Sequence, residues 1–276
     1  MGLSFGSHLP GGKDLRKAVN TAKRLDFTCF QVFLQGPTNS RMPKNTESLD
    51  LEIAQQIAEA GLELFIHGPY LINFGSSKPE VRANSVTMLK TNLERAQRLG
   101  AKGVIFHGGS STGNSYEEGL DALRGSLLPV LQELPAGSPT VILEPTAGQG
   151  DSLVSTMSSI PRYLEALDSH PSLQLCLDTA HLLAAGEPLD EPFGGDRLLE
   201  QLESLDLIER VALFHTNDSM FGRGSHKDRH ENLGYGKCHQ NIWGQLASSS
   251  IPFILETPGA HFSSDVKLLR RLSTTV

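Results

Sequence analysis

The sequence predicts an α/β fold: a single (β/α)8 barrel of the TIM type, with its site at the C-terminal face of the strands. Three observations carry this. Eight short β-rich runs alternate with longer helical patterns from end to end, and six of the runs finish on, or are followed at once by, a residue able to ligate a metal. The length of 276 residues also sits near the roughly 250 that one such barrel uses. No internal repeat and no linker rich in Pro or Gly divides the chain, so residues 1–276 are read as one domain.

The runs are Leu3 to Gly6, Cys29 to Phe33, Leu64 to His67, Gly103 to Phe106, Val141 to Glu144, Leu173 to Asp178, Val211 to His215 and Phe253 to Glu256. Between them, Leu15 to Leu25, Leu49 to Ala60, Pro79 to Leu99, Glu117 to Leu134 and Leu153 to Leu167 carry apolar residues at helical spacing. An open doubly wound sheet is the alternative, but no G-x-G-x-x-G follows the first run, and Gly11-Gly12 leads straight into a helical pattern. The longest irregular piece, about Thr216 to Gly236, is polar and glycine-rich, and such a loop in a compact domain is usually functional.

Hydrophobic residues at 38% and charged residues at 20% suit a globular chain with a sizeable core, and exclude a disordered or fibrous one. No stretch approaches the 18 or so consecutive apolar residues of a membrane span, and the start lacks a secretory n- and h-region. Cys29, Cys176 and Cys238 are odd in number with no C-x-x-C spacing, which argues against a disulfide framework. A reducing compartment is expected, cytoplasmic in a bacterium or nuclear in a eukaryote. The formal charge of −7 argues weakly against a polyanionic partner. Three bound divalent cations would bring it to −1, so nucleic acid is not excluded until the carboxylates are placed.

Barrel enzymes build their sites at the C-terminal ends of the strands, and there stand His67, His107, Glu144, Asp178, His215 and Glu256. Asp178-Thr179-Ala180-His181 places a second group one helical turn beyond the first, and Asp228-Arg229-His230 projects two side chains to one side of an extended loop. Five histidines and four carboxylates result, enough for two or three metals with a bridging carboxylate. A set without thiolates points to catalytic zinc, with Mn²⁺ or Fe²⁺ as substitutes. Each position has a blander reading alone: a hydrogen-bonded mouth residue for His67, a helix N-cap for Asp178, polar loop residues for Asp228 and His230. Glu144 and Glu256 resist it, because a carboxylate beside an apolar strand is costly unless paired or metal-bound. His8 is a candidate contact to substrate or to a ligand.

These residues lie in ordered blocks. They are His67-Gly68-Pro69-Tyr70-Leu71-Ile72-Asn73, Phe106-His107-Gly108-Gly109-Ser110, Leu143-Glu144-Pro145-Thr146-Ala147-Gly148-Gln149-Gly150, Leu177-Asp178-Thr179-Ala180-His181, His215-Thr216-Asn217-Asp218-Ser219, the run from Lys227 to Gly236, and Ile254-Leu255-Glu256-Thr257-Pro258. Over nearly its whole length the chain thereby resembles the endonuclease IV type of apurinic/apyrimidinic endonuclease, a DNA-repair (β/α)8 barrel with three zinc ions. The resemblance implies that His67 and His107 hold one zinc and that Glu144 bridges it to a second bound by Asp178, His215 and Glu256. His181, Asp228 and His230 would hold the third. It implies hydrolysis, by zinc-activated hydroxide, of the phosphodiester 5′ to an abasic site in double-stranded DNA, leaving 3′-OH and 5′-deoxyribose phosphate. Removal of blocking groups from 3′ ends by a monomeric enzyme with no membrane partner is implied as well. Tyr70 and Leu71 stand where the family inserts residues into the DNA at the lesion, with His8 and Arg229 as further DNA contacts.

The chain also departs from the family. The loop after the second run reads Leu34 to Arg41, where the family usually carries a basic or aromatic stretch, leaving Gln35 or Arg41 as substitutes. Ala180 stands where a cysteine is common. Arg223, Lys227, Arg229 and Lys237 are the basic residues available for phosphates. Two other readings compete. A sugar isomerase or epimerase of the xylose-isomerase-like barrels needs only Glu144, Asp178, His215 and Glu256 around one Mn²⁺ or similar ion, and has no use for the remaining five groups. A module that binds damaged DNA without cutting it would have lost a catalytic ligand, and none is missing.

Overall fold

The computed structural model describes residues 2–44 and 47–274. Eight parallel strands close into a barrel in sequence order: β1 (Phe5–Leu9), β2 (Cys29–Phe33), β3 (Glu63–His67), β4 (Gly103–His107), β5 (Thr140–Glu144), β6 (Leu173–Asp178), β7 (Val211–His215) and β8 (Phe253–Leu255). The ring is sealed by β1 against β8, with Phe5 opposite Phe253 and Ser7 opposite Leu255. Around it lie α1 (Arg16–Arg24), α2 (Glu47–Glu59), α3 (Pro79–Leu99), α4 (Tyr116–Gln132), α5 (Ile160–Ala166), α6 (Thr179–Ala185), α7 (Gly194–Ser204), α8 (Ile242–Ala247) and α9 (Phe262–Ser273). Among the described residues no helix is long and apolar enough to cross a membrane.

Side chains alternate across a strand with period two, and this alternation builds the floor of the site. Cys29, Phe65, Ile105, Ile142, Cys176, Leu213 and Ile254, one from each of β2 to β8, form an apolar cluster separate from the large core under the helices. Two residues further along the same faces come Gln31, His67, His107, Glu144, Asp178, His215 and Glu256. A greasy plug therefore carries a polar ring at its C-terminal edge, as the layering of barrel interiors requires.

Two expectations shift. The first strand runs Phe5–Leu9 rather than Leu3 to Gly6, because its pairing with β2 starts at Gly6 opposite Cys29 and continues to Leu9 opposite Val32. Leu3 packs instead into the outer core. His8 consequently lies inside the strand and on the ring, not beyond it. The stretch Leu153 to Leu167 is not one helix: Leu153 to Thr156 is irregular, a 3-10 turn covers Met157–Ser159, and only Ile160–Ala166 is α-helical. Leu153 and Val154 are spent on loop packing, filling space that Gly75, Gly108 and Gly119 leave by having no Cβ. The glycines after His107 thus let the loops over the site approach closely.

The loops at the mouth are held from outside the barrel. Arg95 of α3 is fully buried, pairs with Asp50 of α2 at 3.1 Å and donates to the carbonyls of Gly12 and Lys13 at 3.0 Å each. Beyond β7 the long loop folds back as a two-stranded ribbon, Asp218–Ser219 against His230–Glu231. The ribbon swings His230 back over the strand ends.

Candidate metal centre

All nine sequence-derived groups meet at one mouth. Glu144 lies at its centre, wholly buried, with each oxygen faced by two imidazole nitrogens. Oε2 is 3.1 Å from His67 Nε2 and 3.2 Å from His107 Nε2, while Oε1 is 2.9 Å from His215 Nδ1 and 3.4 Å from His181 Nδ1. His215 Nδ1 is also 3.4 Å from Glu256 and 4.0 Å from Asp178. His230 Nε2 lies 3.3 Å from Asp178 and 3.4 Å from Asp228, and His181 Nε2 is 3.4 Å from the same Asp228 oxygen.

Potential ligand atoms gather into three main groups: His67, His107 and Glu144; Glu144, Asp178, His215 and Glu256; and Asp178, His181 and His230. Asp228 stands between the two histidines of the third. Asp178 serves two ends at once, since Oδ1 accepts from the amides of Ala180 and His181 at 2.7 and 3.0 Å as the N-cap of α6 while Oδ2 faces the cluster. Helix cap and ligand were set against each other on sequence, yet a carboxylate has an oxygen for each.

The imidazoles fit an ion cluster on a further count. His67 Nδ1 is 2.7 Å from the Gly68 carbonyl, His181 Nδ1 3.1 Å from Pro145, and His230 Nδ1 3.3 Å from Glu256, each to a backbone oxygen. A ring nitrogen that donates to a carbonyl leaves the other with a lone pair, and in all three that other nitrogen points into the cluster. His230 Nε2 is buried with no hydrogen-bond partner, which is costly for a polar atom without a ligand.

Burial favours the neutral form of Glu144, but His215 and His107 outweigh it and hold the carboxyl well below the usual range. Glu256 is held low in the same way, by His215 and His8 against burial. His181 is pulled down by burial yet pushed up to about 10 by Asp178, Asp228 and Glu144. In the metal-free protein, then, protons occupy the places of cations. Because His181 must shed its proton to bind a metal, zinc affinity should rise with pH from 6 to 8, about tenfold per unit for each proton displaced. Calorimetry in buffers of different ionisation enthalpy should count at least one proton released per chain at pH 7, and an affinity independent of pH would remove His181 from the ligand set. The same raised value stabilises the metal-free fold fully below about pH 6.5, and that contribution fades as pH climbs toward 10.

The remaining expected groups are placed as follows. Tyr70 and Leu71 are exposed on the loop after β3, and Tyr70 stacks over His107 at 5.2 Å while meeting Phe33 and His67 edge-on. His8 sits 3.1 Å from Glu256 beside a mouth cavity shared with Ser7, Phe33, Tyr70 and His230. The loop after β2 reaches the same rim, where the Pro37 carbonyl accepts from the Tyr70 amide at 2.8 Å. Gln35 is buried and donates to Asn39 within that loop, which leaves Arg41 as the exposed one of the two residues expected to reach DNA. Arg229 and Lys227 are exposed, the latter over the Phe221 ring. Arg223 is not free for phosphate, because it pairs with Asp190 and Glu191.

Three residues of the site were given no role from sequence. Gln31 is wholly buried and touches His215, Glu256 and His8. Asn217 donates to Asp178 at 2.6 Å and accepts from the Glu256 amide at 2.8 Å. Asp218 collects four backbone amides. The available signal was polarity at an inward position of an apolar strand for Gln31, and the unassigned middle of the His215 to Ser219 block for the others. Cys176 also falls within ligand distance of Glu144 and His215, but burial pushes its thiol up to about 12, so it stays protonated.

A closed parallel barrel with a carboxylate–histidine cluster at the C-terminal mouth is the construction of the xylose isomerase-like TIM barrels, and the family of that description matches residues 19–272. Within it the chain belongs to the endonuclease IV family. It is 37% identical to a probable endonuclease 4 of Streptomyces coelicolor, covering 97% of this chain and 94% of that one. A probable endonuclease 4 of Oceanobacillus iheyensis is 33% identical over 93% of this chain and 88% of its own length. The crystal structure of endonuclease IV from Thermus thermophilus superposes with a TM-score of 0.83 at 28% identity, covering 99% of this chain and all of that one.

Proposed function

We propose that this chain, over residues 1–276 as one catalytic unit, is a metal-dependent DNA-repair endonuclease. It hydrolyses the phosphodiester on the 5′ side of an abasic nucleotide in duplex DNA, leaving 3′-OH and 5′-deoxyribose phosphate, and clears blocked 3′ ends with the same site. The reading rests on the convergence of five histidines and four carboxylates around Glu144, with family membership pointing to the substrate. His67 and His107 would hold one zinc, Asp178, His215 and Glu256 a second with Glu144 shared between them, and His181, Asp228 and His230 a third. Mn²⁺ or Fe²⁺ can replace zinc in a His/carboxylate set. When bound, the ions supply Lewis-acid polarisation of the phosphodiester, neutralisation of its charge and a lowered pKa for attacking water.

The protein's own side chains do the rest. The carbonyl-fixed histidines hold their lone pairs toward the cluster, and the apolar plug keeps bulk water from below. Tyr70 and Leu71 offer flat and bulky exposed surface at the rim, suited to filling the gap left by a missing base. A nucleotide without a base has little stacking to lose on leaving the helix, which favours the lesion over intact DNA. Arg229, Lys227, Lys237 and Arg41 supply positive charge for flanking phosphates, so binding should weaken steeply with salt. The enzyme acts as a monomer in the compartment that holds the DNA.

The test is an end-labelled duplex with one tetrahydrofuran abasic analogue, incubated without magnesium. The analogue cannot β-eliminate, so a cut is hydrolytic. An extendable 3′-OH product and about three zincs per chain are expected. No cut by zinc-replete protein would overturn the endonuclease reading in favour of a damage-binding protein, and one metal per chain with ketose–aldose interconversion would favour a sugar isomerase.

A further inference from the structure

Three of the cluster's histidines are oriented by backbone carbonyls, but His215 is not: its Nε2 lies 2.7 Å from the side-chain oxygen of Gln31. The nitrogen of the same amide lies 2.6 Å from Glu256 Oε1 and 2.8 Å from His8 Nδ1. Gln31 is wholly buried at the inward position of β2, between the apolar plug and the ligand ring. Its two amide hydrogens and its oxygen therefore meet three partners, and only one orientation satisfies them all. With the amide reversed, the oxygen would face a carboxylate and the NH2 would face His215.

We infer that Gln31 is a positioning residue that sets the tautomer of His215 as Nε2–H. The inference rests on the metal reading given above. For His215, an Nε2 proton donated to Gln31 leaves the Nδ1 lone pair facing Glu144, Asp178 and Glu256, which is the form a metal requires. His8 Nδ1 lies 2.8 Å from the Gln31 amide nitrogen and 3.1 Å from Glu256 Oε1, so Gln31 and His8 meet at the same carboxylate oxygen. Gln31 also holds Glu256, so a single neutral side chain couples a ligand histidine, a ligand carboxylate and a substrate contact without adding charge beneath the metals.

The experiment uses full-length, zinc-loaded protein labelled with ¹⁵N-histidine. Long-range ¹H–¹⁵N correlation spectra assign the protonated nitrogen of each ring, and zinc loss to an excess chelator is timed in parallel. Wild type is expected to show Nε2–H at His215. Gln31→Met, of similar volume but without the amide, should lose zinc about 10- to 100-fold faster and release the His215 ring from a single tautomer. Gln31→Glu keeps an acceptor for His215, so it should preserve the His215 tautomer that Gln31→Met loses, a split that a merely structural role would not produce. Zinc-loaded wild type with His215 protonated on Nδ1, or Gln31→Met holding zinc as long as wild type, overturns the inference alone. Wild type that takes up no zinc overturns the metal reading and the inference with it.

Discussion

Replacing Glu144 by Gln is expected to slow cleavage of an abasic-site duplex by at least about a thousandfold while leaving the barrel folded. The amide keeps the shape of the side chain but turns one of its two oxygens into an NH2 group. Each oxygen now faces a pair of imidazole nitrogens, His67 with His107 on one side and His215 with His181 on the other. Whichever way the amide settles, one pair loses its shared acceptor and meets a donor that cannot bind metal. Zinc content should fall by at least one per chain, and circular dichroism should stay that of wild type, because the apolar plug and the core under the helices are untouched. Turnover within tenfold of wild type at full zinc content would show that Glu144 does not bridge.

The second large effect is on stability and comes from a residue that touches no candidate ligand group. Asp218 accepts from Ser219 and Cys238 through Oδ1 at 2.8 and 2.9 Å, and from Gly234 and Gly236 through Oδ2 at 2.9 Å each. It is wholly buried, and the amides of Ser219 and Cys238 are buried with it and have no water to turn to. Asp218→Asn sets an NH2 against two of them, and with about 1–3 kcal/mol for each orphaned group the loss should be about 3 kcal/mol. In a chain of this size that is a fall of about 6–12 °C in the melting temperature of the metal-free protein. Hydrogen exchange should quicken first at Gly234, Gly236 and Cys238, and zinc should leave the His181, Asp228 and His230 group before the others. An unchanged melting temperature would mean that the loop is held by other contacts, such as Asp265, which binds Asn232 and the Leu233 amide.

The barrel was legible because its strands are short, apolar and evenly spaced, and because period-two alternation places each expected ligand on the same face as a plug residue two positions earlier. Ile105 before His107 and Ile142 before Glu144 show the rule. The first strand was misplaced because Ser7 and His8 interrupt its apolar pattern, though their polarity belongs to the site. Leu153 and Val154 read as a helix start because hydrophobicity records that a residue is buried and not against what. The nine candidate ligands lie at one mouth, where Asp178, His181 and His230 gather into one group and Asp228 stands beside its two histidines. What sequence could not rank was the supporting layer: Gln31, Asn217 and Asp218 differ from ordinary polar residues only through distances to partners far away in the chain. The commitment of Arg223 to Asp190 and Glu191 was hidden for the same reason.

The seam where β1 meets β8 has a bearing on how such a chain matures. Glu256 follows the closing strand and is tied to His8 of the opening one, so the middle group of the cluster is assembled only when the two ends of the chain find each other. Pairing of such distant segments is among the slowest and latest events in folding. A nascent, truncated or half-folded chain already carries His67, His107 and Glu144 but lacks the finished mouth. Completing the metal cluster proposed above would then depend on closing the seam, and a chain with its ends apart could assemble only part of it.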